Sequence, residues 1–150
     1  MFDPIPVSVA LSRFEDVVAL GLCALIDEDE SLTVVAKDVP QEQLLDVLSE
    51  LRPEIAILNF DALDGVDELR LIHRSCPATR LVVLADRPQS AESRTMLASG
   101  ATACLATSSD ARDVLDTINL VSRGLHVVPG ADGSAGTVSP PEAEGYHRSP

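Results

Sequence analysis

Short runs of aliphatic and β-branched residues alternate along this chain with stretches whose apolar residues recur every three or four positions, and the alternation repeats five times. Val7-Ser8-Val9-Ala10-Leu11, Leu32-Thr33-Val34-Val35-Ala36, Ile55-Ala56-Ile57-Leu58, Leu81-Val82-Val83-Leu84 and Ala103-Cys104-Leu105-Ala106 are the five runs. A strand with one wet face alternates polar and apolar residues. Near-continuous apolar runs instead predict strands covered on both faces, as in a parallel sheet. The helical stretches have their own punctuation. Residues 15–27 open on Glu15 and Asp16, acids in the first turn, where the helix dipole favours them. Pro40 opens a helix carrying Leu44, Leu45, Val47, Leu48 and Leu51, and Pro53 stops it. An acidic loop over 61–67 precedes a helix with Leu69, Leu71 and Ile72, ended by Pro77. Residues 90–99 form a short helix ended by Gly100. Asp110 caps a last helix with Val114, Leu115, Ile118 and Val121 on one face, ended by Gly124. Strand–helix alternation of this regularity predicts an α/β domain of parallel strands joined by right-handed crossovers, with helices on both faces.

The 150 residues suffice for one such domain and not two. With only 3% aromatic residues and no Trp, the core is aliphatic. A formal charge of −13 argues against this segment gripping nucleic acid or an anionic membrane, both of which require clustered Lys and Arg. Cys23, Cys76 and Cys104 are odd in number and lie in apolar stretches, which suits free thiols in a reducing cytoplasm. No paired-cysteine motif suggests zinc, and His73, His126 and His147 are scattered, so no metal or cofactor is expected. The first residues have no basic region followed by an apolar run, and no stretch is long enough to span a membrane. The expected location is therefore cytoplasmic. From about Gly130 the chain turns rich in Gly, Ser, Pro and Ala, so residues 1–130 read as the domain and 131–150 as a flexible linker or tail.

In an open α/β sheet, ligands sit outside the carboxyl ends of the strands. Ser12, Arg13 and Phe14 follow the first strand, Asn59 the third, Ala85 and Asp86 the fourth, and Thr107 and Ser108 the fifth. Over residues 5–130 the sequence resembles the receiver domains of NarL/LuxR-family response regulators. The pieces are Gly21-Leu22, Pro53-Glu54-Ile55-Ala56-Ile57-Leu58, Asp64-Gly65, Leu81-Val82-Val83-Leu84, Gly100-Ala101 and Gly124, in that order and spacing. The resemblance implies a CheY-like or flavodoxin-like (βα)5 doubly wound parallel sheet in the order 2-1-3-4-5. It also implies a phosphorylation pocket: an acidic pair holding Mg²⁺, an acceptor Asp, a hydroxyl residue and a Lys. In this chain the acidic pair falls on Arg13 and Phe14, the acceptor on Asn59, the hydroxyl on Ala85 and the Lys on Thr107, while the aromatic switch residue falls on Cys104. The loop after Asn59 is slightly shorter than the family's. An Asn amide is not a carboxylate nucleophile, and Arg13 with Phe14 cannot ligate Mg²⁺, so phosphoryl transfer is not expected.

Three arrangements of that pocket remain open. Asp61, Asp64 and Asp86 could form a displaced metal site, although a solvated acidic rim is the preferred reading. Arg13 is expected to reach Asn59, Asp61 or Asp86 and supply the missing positive charge. Phe14, Ala85, Cys104 and Thr107 could leave a weakly polar pocket for a small molecule, although simple filling of the hole is preferred. An enzyme or cofactor carrier is disfavoured, because Ser12-Arg13-Phe14-Glu15-Asp16 is no Gly-rich phosphate loop and no nucleophile–base pair is visible.

The first helix carries a further signal. After Asp16 the run Val17-Val18-Ala19-Leu20-Gly21-Leu22-Cys23-Ala24-Leu25-Ile26 has no charged residue. With Val17, Val18, Leu22 and Leu25 towards the sheet, Ala19, Leu20, Cys23 and Ile26 are expected on the far side, joined by Leu120 of the last helix. A patch of that kind predicts a symmetric homodimer through the first and last helices, the alternative being cover by residues 2–6 or by the tail. The resemblance further implies that a helix-turn-helix domain, absent from this chain, would follow the tail and bind DNA.

Overall fold

A computed structural model of the chain describes residues 6–86, 89–123, 126–129 and 135–138. Five parallel strands form its centre: β1 (Val7–Ser12), β2 (Leu32–Val39), β3 (Ile55–Asn59), β4 (Arg80–Ala85) and β5 (Ala101–Ala106). They lie in the order β2-β1-β3-β4-β5, as expected. The connecting helices are α1 (Asp16–Asp27), α2 (Leu44–Leu51), α3 (Val66–Ser75), α4 (Ser90–Ala98) and α5 (Ala111–Ser122).

Strand periodicity divides the core in two. Val9, Leu11, Ile57, Val82, Leu84 and Leu105 point to one face, where Leu22 and Ile26 of α1 meet Val114, Ile118 and Val121 of α5. Ala10, Ala56, Leu58, Leu81, Val83 and Cys104 point to the other, against Leu44 and Leu48 of α2, Leu69 and Ile72 of α3 and Met96 of α4. The alternation is the period of two in a pleated strand. Burial of each large aliphatic side chain here contributes about 1.5–3 kcal/mol.

Local chemistry sets the element ends. Pro40 is followed by a single 3-10 turn, Gln41–Gln43, before α2 proper begins. Arg52, in left-handed backbone at φ 48°, closes α2 ahead of Pro53. Asp110 precedes α5 in extended conformation, but its side chain makes no capping hydrogen bond, so the expected cap is absent. Gly100, at φ 121°, ends α4 where the His73 ring presses on it. A Cβ there would run into the His73 ring, so both backbone and packing demand glycine.

Two further strands extend the sheet past β5: β6 (His126–Pro129), parallel to β5, and β7 (Ala135–Val138), antiparallel to β6. Residues 135–138 were expected in a flexible tail and are instead a strand. The reason is pairing: β6 covers the open edge of β5, and β7 folds back antiparallel on β6 a few residues later. Residues 131–134 and 139–150, and Gly124 as the end of the last helix, lie outside the described residues.

Candidate functional site

The carboxyl ends of β1, β3, β4 and β5 surround a cleft of about 250 Å³. It is lined by Phe14, Glu15 and Val18 from the β1–α1 side, Asn59 and Asp61 after β3, Asp86 after β4, and Thr107 after β5. Asn59 is the hub. Its backbone N–H donates to Ser12 Oγ at 2.8 Å, its Nδ2 donates to the Arg13 carbonyl at 3.1 Å, and its Oδ1 accepts the Asp61 N–H at 3.2 Å. Both ends of the amide are thus tied to the chain's own backbone. Asp61 Oδ2 in turn accepts the Asp86 N–H at 3.3 Å, bridging the loops after β3 and β4. Thr107 is set by its N–H to the Ala85 carbonyl, 2.9 Å.

Arg13 does not close the cleft. Its Nε lies 3.0 Å from Asp38 Oδ1, both side chains being exposed, so the expected contact with Asn59, Asp61 or Asp86 is corrected. The cause is the β1–β2 register. It shifts between Val9 and Ala10 and again between Ala10 and Ser12, and Asp38 takes positive φ. The Arg13 N–H then donates to the Val39 carbonyl, which holds the residue over the β2 edge.

Ala85 and Cys104 are also not brought into the cleft. Both belong to the core on the α2–α4 face. Cys104 Sγ lies 3.6 Å from Met96 Sδ and 3.7 Å from the Ser93 carbonyl, and burial pushes its pKa up to about 12. The cleft opens on the α1 side, so it cannot be lined by residues with the strand parity of Val83. Asp64 stands apart as well: its N–H donates to Glu68 Oε1 at 2.6 Å, at the start of α3. Phe14 is only 7% exposed and packs into the α1–α5 core, so its ring largely fills the position after β1. Sequence reasoning missed Glu15 and Val18. Their position in the first turn of α1, directly after β1, is the signal that could have found them.

The electrostatics follow. Glu15, Asp61 and Asp86 line the cleft, and among the described residues no basic side chain does. A phosphoryl group at ~5 Å from a carboxylate would be repelled by on the order of 1–3 kcal/mol per pair. No group of three or more His, Cys, Asp or Glu residues able to hold a metal ion occurs among the described residues.

The outer face of α1 differs from expectation. Ile26, placed on the far side by the sequence reading, is fully buried, because it lies one turn from buried Leu22 on the same stripe. Ala19, Cys23 and Leu120 are half-buried against the core. The exposed stripe is Val17, Leu20, Gly21 and Ala24, with Val17 82% and Leu20 72% exposed. Val17, expected against the sheet, is therefore outside. Of the segments that could have covered this face, residues 2–5 and 139–150 lie outside the described residues.

The fold, with this cleft at its carboxyl ends, is that of a receiver domain of LuxR/NarL-type response regulators. No protein-family profile matches the chain. Among curated proteins it is similar to the transcriptional regulatory protein LnrK of Bacillus subtilis, 25% identical over 125 residues, which is 82% of this chain and 57% of that protein. It is also similar to the response regulator protein VraR of Staphylococcus aureus, 21% identical over 114 residues, covering 75% of this chain and 54% of that one. The chain thus spans just over half the length of the curated relatives it matches. Among solved structures, a LuxR-family response regulator from Aurantimonas superposes with TM-score 0.75 at 20% identity, over 85% of this chain and 91% of that one. The receiver domain of a putative NarL from Mycobacterium tuberculosis gives 0.72 at 19%, over 81% and 99%. The non-phosphorylated RcsB receiver domain of Escherichia coli gives 0.76 at 17%, over 83% and 99%.

Proposed function

We propose that this chain is the regulatory domain of a transcriptional response regulator that works without phosphorylation, in the cytoplasm, as a homodimer through α1. The observation that carries the reading is Asn59: an amide stands at the end of β3, bonded to the Arg13 carbonyl and the Asp61 N–H, in a cleft whose described lining holds three acids and no cation. An amide at that position is no nucleophile for a phosphoryl donor, and the described lining offers no positive charge for the transferred group. Regulation then has to come from elsewhere, and the exposed apolar stripe of α1 is a surface that a second copy can cover. Half-buried Leu120 of α5 borders it across the α1–α5 contact. LnrK is a transcriptional regulatory protein and RcsB binds DNA as dimers, which supports a role of this kind. With a charge of −13, these 150 residues are not the DNA-binding part. A metabolite in the cleft is the less favoured reading, because Ala85 and Cys104 do not line it and acids do.

The test is incubation with acetyl phosphate and Mg²⁺, read by intact-mass spectrometry. The proposal expects no phosphoryl adduct. A stoichiometric adduct would overturn it.

A further inference from the structure

We infer that the chain has a ligand site at the opposite end of the sheet from the cleft, suited to a small zwitterion with an apolar side chain, in chemical class an amino acid. A cavity of about 410 Å³ opens there between the C-terminal ends of α2 and α3, beside the starts of β3 and β4. It is larger than the carboxyl-end cleft and falls within the roughly 300–1,000 Å³ of small-molecule sites. Its wall is apolar: Leu48 is fully buried, Cys76 is buried, and Pro77 closes one side.

Two opposite charges stand at this cavity, Arg52 and Glu54. Neither takes part in the two ion pairs found among the described residues, Arg13–Asp38 and Arg70–Asp67. Among the described residues, neither charge has a partner to leave when a ligand binds. Arg52 sits in left-handed backbone, φ 48° and ψ 57°, where a residue with a Cβ is strained by about 1–2 kcal/mol. The end of α2 and Pro53 hold it there, which fixes where its side chain leaves the chain. A guanidinium favours a carboxylate, bound by two parallel hydrogen bonds. Glu54, together with the carbonyl ends of α2 and α3, favours an ammonium group. An acid alone would face Glu54, and an amine alone would face Arg52. A ligand carrying both charges and an apolar body matches the rim and the wall together.

The test is an amide chemical-shift titration of the intact chain with L-leucine, L-valine and L-phenylalanine as probes. Saturable shifts confined to residues 48–54 and 75–79 are expected for at least one of them. Binding of that probe is expected to weaken by about tenfold or more in Arg52→Gln and in Glu54→Gln, and for its one-charge analogues lacking the amine or the carboxylate. Ser49→Leu, which narrows the cavity, should abolish binding, with thermal unfolding confirming that each variant folds. The absence of saturable shifts with all three probes would overturn the inference. So would binding that the charge variants and one-charge analogues leave unchanged.

Discussion

Asn59 differs from an aspartate by one atom type, yet placing a carboxylate there is not expected to permit phosphoryl transfer. Asn59→Asp would add a fourth acid to the cleft and remove the donor that holds the Arg13 carbonyl. The variant should remain unmodified by acetyl phosphate and lose about 1 kcal/mol of stability, the usual net worth of one hydrogen bond. Mass spectrometry and denaturant unfolding read the two outcomes. Cys104 gives a second check at this scale. Its pKa is pushed up to about 12 by burial, so at about pH 8 its thiolate fraction is on the order of one in ten thousand. Iodoacetamide should label half-buried Cys23 in the native chain and reach Cys104 only after unfolding. That an amide, Asn59, ends β3 was legible in the sequence, because residue identity and the apolar run before it decide it. The partner of Arg13 was not legible, because it depends on the β1–β2 register shifts and on the backbone of Asp38, neither of which leaves a mark in local composition.

At the scale of the element, α1 carries a sharp contrast between two large aliphatic side chains. Leu20 is outside and Ile26 is in the core. Leu20→Glu should dissociate the proposed dimer, lowering the mass by half in sedimentation, with little effect on the unfolding midpoint. Ile26→Ala should leave the α1 surface intact and cost about 2–5 kcal/mol in denaturant unfolding. The helix was easy to recognise, and so was its lack of a charged face. Its rotation was harder, because with ten successive uncharged residues the sequence contains no polar stripe to mark the outside, and the sheet alone decides that Leu22 and Ile26 face inward. The strands β1 to β5 were legible for the opposite reason: each is a short, near-continuous run of aliphatic and β-branched residues. Strands β6 and β7 were not, since each is only four residues long and they form by pairing, β6 with the edge of β5 and β7 with β6.

The whole molecule is strongly acidic, and its proposed dimer face shares that sign. No Lys or Arg occurs between residues 14 and 36, while Glu15, Asp16, Asp27 and Glu28 flank the apolar stripe. Two copies meeting there bring like charges together, so salt should strengthen the dimer rather than weaken it. Raising salt from about 0.05 to about 0.5 M, which shortens the screening length well below 10 Å, is expected to lower the dissociation constant several-fold. A receiver switched by phosphorylation would respond instead to a phosphoryl mimic bound with Mg²⁺. The most direct measurement is therefore the sedimentation-equilibrium mass of the chain at micromolar concentration, with and without beryllofluoride and Mg²⁺. The account predicts the mass of two chains under both conditions. A monomer that dimerises only when beryllofluoride and Mg²⁺ are added would contradict it.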